Sequence, residues 1–209
     1  MAKSEHYYTK FEEGCFYHIY NRSIDKQLMF KSDANCRYFL KKFDQYLSSV
    51  IDTYAYCLLG NHFHLLIHVH ENLTDFKETK NIDPSKSTHD IISHQFRKFF
   101  QSYSMAFNKQ YKRVGTLFQT PFKRALVNDS SYYSQLVYYI HANPQSHNLT
   151  EDFRNWEWSS YHSILSDKPS KLKKIELIEW FGSKQAYQDY HHEYRNNMIQ
   201  EKLMIDMNE

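Results

Sequence analysis

Apolar side chains recur every three or four residues in three stretches of the chain, and this period predicts helices. The stretches cover residues 33–47, 88–111 and 131–143. The polar run Asn-Asp-Ser at 128–130 can cap the third helix, because such side chains accept hydrogen bonds from free backbone N–H groups. Pro144 is expected to stop this helix, since the residue before a proline disfavours helical geometry.

Runs rich in aromatic and β-branched residues lie between these helices and predict strands. They cover residues 15–20, 53–59 and 62–70, and the stretch 116–127 is expected to be an irregular or edge strand because it contains a proline. Gly60-Asn61 separates the second run from the third, and this pair tolerates the positive φ of a tight turn. The two runs are therefore predicted to form a β-hairpin.

The predicted elements follow the order β-α-β-β-α-β-α, with a polar loop expected at 71–87. This order predicts an α+β, ferredoxin-like split β-α-β-β-α-β fold, in which an antiparallel sheet carries helices on one face. We expect a first domain over residues 1–145. A C-terminal helical extension over 146–209 is expected to pack on or beside it.

Composition excludes several classes of protein. The 209 residues are 41% hydrophobic and 24% charged, and no apolar stretch approaches the roughly 20 residues of a membrane helix. The first residues are polar and do not resemble a secretory signal, so we expect a cytoplasmic protein. The three cysteines form no Cys-x-x-Cys pair and the four glycines are isolated, which disfavours a disulfide framework, a cysteine zinc site and a glycine-rich phosphate loop.

Two histidines in the second hairpin strand are candidate metal ligands. Strand alternation places His62 and His64 on one face, whereas Phe63 and its alternate neighbours point to the other face, the expected core. Two imidazoles at this spacing can converge on one ion. However, the chain has 13 histidines, and a second pair occurs at His68 and His70. By spacing alone, a solvated strand face remains the alternative.

Tyr139 and Asn143 form a second candidate group. They are four residues apart in the predicted third helix, so the phenol and the amide oxygen lie side by side. The alternatives are an aromatic side chain half-buried at an interface and a polar residue at a helix end.

The formal net charge is only +2, but the basic residues are unevenly distributed. No acidic residue occurs between Asp90 and Asp129, and that stretch holds seven cationic side chains, Arg97, Lys98, Lys109, Lys112, Arg113, Lys123 and Arg124. Basic groups follow phosphates and aromatic rings stack on unpaired bases, so a basic stretch interleaved with Phe and Tyr favours single-stranded nucleic acid. A core helix with a basic outer face is the alternative.

Five motifs in order resemble those of the REP-associated tyrosine transposases, a branch of the HUH single-strand transposases and endonucleases. The motifs are Tyr17–Arg22, Tyr56–Leu66, Phe107-Asn108 with Gly115–Phe118, Tyr139–Pro144, and Trp158–Tyr161. They span about residues 14 to 163 of the chain. The chain departs from the family at Gly60, where a proline is often found, and this changes the turn ahead of the histidine pair.

The resemblance implies roles for four residues. His62 and His64 match the paired metal ligands, Asn143 matches the third ligand, and Tyr139 matches the nucleophile. Two imidazoles and an amide oxygen, with water, suit Mg²⁺ or Mn²⁺, and no organic cofactor is expected.

The resemblance also implies a reaction and a substrate. Attack by the tyrosine would leave a 5′-phosphotyrosine and a free 3′-OH on single-stranded DNA beside a hairpin. The segment from Arg97 to Arg124, helped by Arg22, is the candidate contact for a short flanking sequence. A nucleoid-associated prokaryotic protein, monomer or homodimer, is expected.

Three alternatives remain open. The element order is also that of RNA-recognition domains, so a binding module for single-stranded DNA or RNA without catalysis is one of them. A metal-dependent phosphodiesterase that uses water is the second. A protein that keeps the fold but only regulates is the third.

Overall fold

A computed structural model describes residues 8–196, and its centre is a four-stranded sheet. The strands are β1 (Phe16–Arg22), β2 (Ile51–Leu58), β3 (His62–Val69) and β4 (Lys123–Val127). Their order across the sheet is β2-β3-β1-β4, and all neighbours pair antiparallel. This is the order of a split β-α-β fold, so the predicted α+β class and antiparallel sheet are confirmed.

Seven α-helices accompany the sheet in the described part of the chain. They are α1 (Asp33–Leu47), α2 (Thr74–Thr79), α3 (Thr88–Gln110), α4 (Ser130–Ser146), α5 (Tyr161–Leu165), α6 (Lys174–Phe181) and α7 (Lys184–Asn196). The first predicted helix has the expected bounds. The short helix α2 lies inside the stretch expected to be a loop, and β4 occupies only the end of the stretch expected to be an edge strand.

The crossover helices α1 and α3 pack together on one face of the sheet, as predicted. Phe39 of α1 lies between Phe63 of β3 and Phe99 of α3, with ring centroids 5.0 Å and 4.8 Å apart. All three rings are fully buried. The alternate β3 side chains expected to face the core therefore do so.

The other face of the sheet is also covered, so the expectation of helices on one face only is wrong. Helix α4 packs against β2 and β3 there, and α5, α6 and α7 pack around α4. The physical reason is that every residue from 136 to 144 of α4 is buried. A helix that is buried on nearly all sides needs packing partners on several sides, and the sheet supplies only one.

Gly60-Asn61 forms the turn between β2 and β3, but a positive φ is not the reason for the glycine. Neither residue has a positive φ. A Cβ at position 60 would lie 2.7 Å from Leu28 Cδ2, and Gly60 O accepts hydrogen bonds from the N–H groups of Met29 (2.8 Å) and Phe30 (3.0 Å). The glycine therefore allows the segment before α1 to approach the turn.

Helix α4 does not stop before Pro144 but continues to Ser146. Proline removes one backbone donor and normally ends or kinks a helix. Here the burial of the surrounding residues keeps the backbone helical, and the N–H of His147 donates to Asn143 O at 3.0 Å to close the last turn.

The C-terminal helices share a core with α4 and the sheet. Leu177 and Tyr187 are fully buried in it. The expected boundary at residue 145 falls in the last turn of α4, and the division into two domains stays a prediction. Residues 1–7 and 197–209 of those domains lie outside the described residues. None of the helices within residues 8–196 has the length and apolar character needed to cross a membrane.

Candidate active site

The histidine pair of β3 lies on the sheet face that α4 covers. The strand register sets Arg22 opposite His62 and Tyr20 opposite His64, so these four side chains share that face. His62 is 4% exposed and His64 is 0% exposed. The alternative of a solvated strand face is therefore wrong, because α4 removes this face from water.

Both ring nitrogens of His62 lie near amide oxygens. Nδ1 is 2.7 Å from Asn61 Oδ1, and Nε2 is 3.3 Å from Asn143 Oδ1. An amide oxygen only accepts, so the shorter contact indicates that Nδ1–H donates to Asn61. In the neutral ring Nε2 then carries a lone pair that faces the lone pairs of Asn143 Oδ1. A cation placed between these two acceptors would relieve their repulsion.

His64 has one satisfied nitrogen and one unsatisfied nitrogen. Nδ1 lies 2.9 Å from His18 Nε2, and both rings are buried. Nε2 is buried and has no hydrogen-bond partner among the described residues. Leaving a buried polar atom unpaired costs about 1–3 kcal/mol of stability, so this nitrogen is a candidate ligand for a bound ion.

Helix α4 brings Tyr139 and Asn143 to the histidines. The Tyr139 ring meets the His64 ring edge-on, with centroids 5.4 Å apart, and also meets the His18 ring at 6.0 Å. Tyr139 is buried at the interface between α4 and the sheet, and Asn143 is almost fully buried. The structure thus assembles all four residues singled out as ligands and nucleophile.

Burial keeps the imidazoles of this site neutral. It lowers the pKa of His62 to about 3, with the nearby His147 and the Arg22 charge as smaller causes. Burial also lowers the pKa of His18 to about 3 and places the pKa of His64 well below its ordinary value. A neutral imidazole offers a lone pair without first losing a proton, which favours metal binding at neutral pH.

Three further residues of the site were not predicted from the sequence. His18 is hydrogen-bonded to His64, Tyr20 stacks on both rings at centroid distances of 4.7 Å and 5.6 Å, and the His147 ring lies 4.8 Å from that of His62. Two signals could have found them. His18 and Tyr20 alternate with Arg22 on β1, and His147 follows Asn143 by one helical turn.

Two of the eight candidate DNA-contacting residues lie on the face of the histidine pair. Arg22 is opposite His62, and its charge contributes to the lowered pKa of that ring. Lys123 of the edge strand β4 pairs with Tyr20, and its Nζ lies 5.6 Å from the Tyr20 ring centroid. Both cations are partly exposed at the side of the site.

The other six divide into exposed and structurally engaged side chains. Four on or just after α3 are exposed, namely Arg97, Lys98, Lys109 and Lys112. Arg113 donates to Asn108 Oδ1 (2.9 Å) and Thr116 O (2.7 Å). Arg124 donates to Thr9 O at 2.7 Å and lies over the rings of Phe11 and Phe122. These two guanidinium groups hold local structure together.

A groove of about 640 Å³ lies between α3 and the segment that leads into β4. Its lining includes Arg97, Phe100, Ser104, Asn108, Phe118 and Phe122. Most other phenylalanines of α3 point into the core, as the alternative of a core helix predicts. Phe100 and Phe122, which stay partly exposed, line the same groove as Arg97.

A metal ion at the histidine pair would need ligands beyond histidine and carboxylate. Across residues 8–196, no group of three or more His, Cys, Asp or Glu side chains is placed to hold a metal ion. The donor set offered here is two imidazoles and the amide oxygen of Asn143. Water would have to complete the coordination shell of Mg²⁺ or Mn²⁺.

The fold and the site agree with the class of protein that the sequence motifs resemble. Resemblance to the HUH single-tyrosine proteins implies a split β-α-β sheet with a His-x-His pair on a central strand, opposite a helical tyrosine, and this chain has that arrangement. No protein-family model matches the chain. A protein of Haemophilus influenzae, provisionally named a REP-associated tyrosine transposase, is 27% identical over 113 residues. That match spans 53% of this chain and only 59% of the relative's length.

A solved structure of a REP-associated tyrosine transposase bound to a REP hairpin has the same fold. Its TM-score is 0.56 at 15% identity, and the superposition covers 77% of this chain and 86% of that one. The chain is therefore similar to REP-associated tyrosine transposases, in sequence over about half of its length and in fold over most of it.

Proposed function

We propose that this protein is a metal-dependent single-stranded DNA endonuclease and strand transferase that cuts beside DNA hairpins through a 5′-phosphotyrosine intermediate. One observation carries the proposal. The unpaired Nε2 of His64, the Nε2 of His62 and Asn143 Oδ1 lie on one buried face beside Tyr139. These groups match the residue types that metal-assisted attack by a tyrosine requires.

The side chains present fit a divalent cation. Each ligating histidine typically uses one ring nitrogen for the metal and hydrogen-bonds with the other, which fixes the ring. Here Nδ1 of His62 is held by Asn61 and Nδ1 of His64 by His18, so both Nε2 atoms are left for an ion. Bound Mg²⁺ or Mn²⁺ would polarise a non-bridging phosphate oxygen and offset charge in the transition state.

Tyr139 acts as the nucleophile in this proposal. Its phenolic oxygen attacks the phosphorus and loses its proton, while the bond from phosphorus to the 3′ oxygen breaks and that oxygen leaves as a hydroxyl. One phosphodiester is exchanged for another, so no external energy source is needed. A later 3′-OH can reverse the exchange and join a different strand.

Arg22 and Lys123 would receive the phosphates nearest to the cut. Both are cationic and partly exposed on the face of the site. Arg97 and the aromatic groove beside it would contact unpaired nucleotides next to the hairpin. The solved relative is bound to a REP hairpin, which supports a hairpin as the substrate of this chain.

A denaturing gel tests the proposal. Purified protein is incubated with labelled single-stranded hairpin oligonucleotides and Mn²⁺, and wild type is compared with Tyr139→Phe. We expect a detergent-resistant protein–DNA band from wild type alone. Cutting without that band would indicate a water nucleophile instead. Tight binding with no cutting across a diverse hairpin pool would favour the binding module.

A further inference from the structure

A chain of buried hydrogen bonds runs from β2 through α4 to α7. The N–H of Tyr56 donates to Ser160 Oγ at 2.9 Å, and Ser160 Oγ lies 2.8 Å from His141 Nε2. His141 Nδ1 lies 2.9 Å from His191 Nε2, and His191 Nδ1 lies 2.7 Å from Tyr187 O. Ser160, His141 and His191 are each no more than 1% exposed. The proposed reaction uses none of them.

The groups at the two ends of this chain of hydrogen bonds determine which atom carries each proton. Tyr187 O can only accept, so His191 carries its proton on Nδ1 and accepts at Nε2. His141 must then donate from Nδ1 and accept at Nε2, which makes Ser160 the donor to it. Ser160 Oγ in turn accepts from the backbone of Tyr56. Both imidazoles are therefore neutral, and the chain has one consistent direction with no unpaired donor.

His141 lies on the side of α4 that faces away from the histidine pair. It is two residues from both Tyr139 and Asn143, which corresponds to about 200° around a helix. Tyr139 and Asn143 meet the sheet, whereas His141 meets Ser160 and α7. The chain of hydrogen bonds therefore contacts α4 on the side that faces away from the sheet.

The same chain ties α4 to the strand next to the metal ligands. Ser160 is bonded twice to Tyr56 of β2, because its N–H also donates to Tyr56 O at 2.9 Å. β2 pairs with β3, and Cys57 is opposite His64. Apolar packing alone has no direction and tolerates small rotations, whereas these hydrogen bonds specify one rotation and one height of α4.

We propose that Ser160, His141 and His191 are positioning residues that set α4 so that Tyr139 and Asn143 meet the histidine pair. The functional part of this inference rests on the proposed function. The C-terminal helices thereby contribute to the proposed site through their contacts with α4. The hydroxyl oxygen of Tyr187 lies 3.3 Å from His141 Nδ1 and can accept from the same N–H.

Two variants break the chain with little change in volume. Ser160→Ala removes the central hydroxyl, and His191→Phe replaces the ring that accepts from His141. His192→Phe is the matched control, because His192 is the exposed neighbour on the same helix. Small misplacements of reacting groups cost up to about 100-fold in rate. We expect the single-turnover rate of adduct formation to fall at least about tenfold in both variants, with hairpin affinity unchanged within about twofold.

Metal affinity provides a second readout. Because Asn143 would move with α4, both variants should bind Mn²⁺ about tenfold more weakly than wild type and the control, as measured by titration without DNA. Unchanged rates and unchanged Mn²⁺ affinity in Ser160→Ala and His191→Phe would overturn the proposal.

Two NMR measurements keep this inference separate from the proposed function. In wild type, the imidazole spectra should show His141 and His191 both neutral and protonated at Nδ1, and a proton on Nε2 of His141 would refute the chain. Contacts between the Tyr139 and His64 rings should be seen in wild type and His192→Phe and be weakened in Ser160→Ala. If they persist unchanged in Ser160→Ala, the positioning role is refuted. A wild type that forms no adduct would refute only the proposed function.

Discussion

His191 should make the folded protein less stable as the pH falls below about 6.5. Burial lowers the pKa of His191 to about 4, because its ring lies inside the core formed by α4 and the C-terminal helices. Both ring nitrogens are already used, one to donate to Tyr187 O and one to accept from His141. A proton added at Nε2 would face the N–H of His141.

The sign and size follow from the difference between the folded and unfolded states. The folded-state pKa lies below the unfolded value near 6.5, so between about pH 6.5 and pH 4 the unfolded chain binds more protons. The contribution of His191 to stability is therefore complete above about pH 6.5 and decreases as the pH falls towards 4. The shift from 6.5 to about 4 corresponds to roughly 3 kcal/mol, since one pKa unit is about 1.36 kcal/mol.

Urea unfolding followed by tryptophan fluorescence at several pH values between 7.5 and about 4.5 measures this effect. Other buried histidines, such as His18, lower stability in the same direction, so the comparison between variants is informative rather than the absolute slope. We expect His191→Phe to lose stability less steeply with falling pH than wild type. His192→Phe, which changes an exposed ring, should match wild type. Equal slopes for wild type and His191→Phe would refute the reasoning.

Three further predictions concern the site, the DNA contacts and the position of α4. His64→Ala should weaken Mn²⁺ binding at least about tenfold, because one proposed ligand is lost. The affinity for the hairpin should be retained, because the proposed DNA-binding surface is unchanged. An unchanged Mn²⁺ affinity would show that the ion binds elsewhere. Arg97→Ala should lower the affinity for single-stranded DNA and reduce its salt dependence by about one ion, without changing the melting temperature. Arg124→Ala should instead lower the melting temperature, because the Arg124 side chain donates a hydrogen bond to Thr9 O. The reverse pattern would contradict this assignment of the two arginines. Asp129→Ala should cost about 1 kcal/mol in urea unfolding, because Asp129 accepts from the Tyr132 N–H at the start of α4 at 2.8 Å; no change would show that this cap contributes nothing.

The sheet and its crossover helices could be predicted because local patterns determine them. The three- and four-residue spacing of apolar residues over 33–47 predicts α1 with its observed bounds. The two β-rich runs around Gly60 predict the hairpin, although close approach of the chain to Leu28 explains the glycine. The prediction that α4 ends before Pro144 was wrong, because burial of the helix outweighed the local preference of one residue.

The sequence by itself determined which residues could do chemistry: two histidines at strand spacing, and a tyrosine and an asparagine one helical turn apart. It also carried motifs that resemble those of the REP-associated tyrosine transposases. Only the tertiary structure decided that these groups meet, because α4 packs on the sheet face opposite α1 and α3. That packing removes water from the site, pairs His64 with His18, and brings His141 to Ser160 and His191. These contacts join residues far apart in the chain, so local spacing could place His18 on one face of β1 but could not show which side chain it meets.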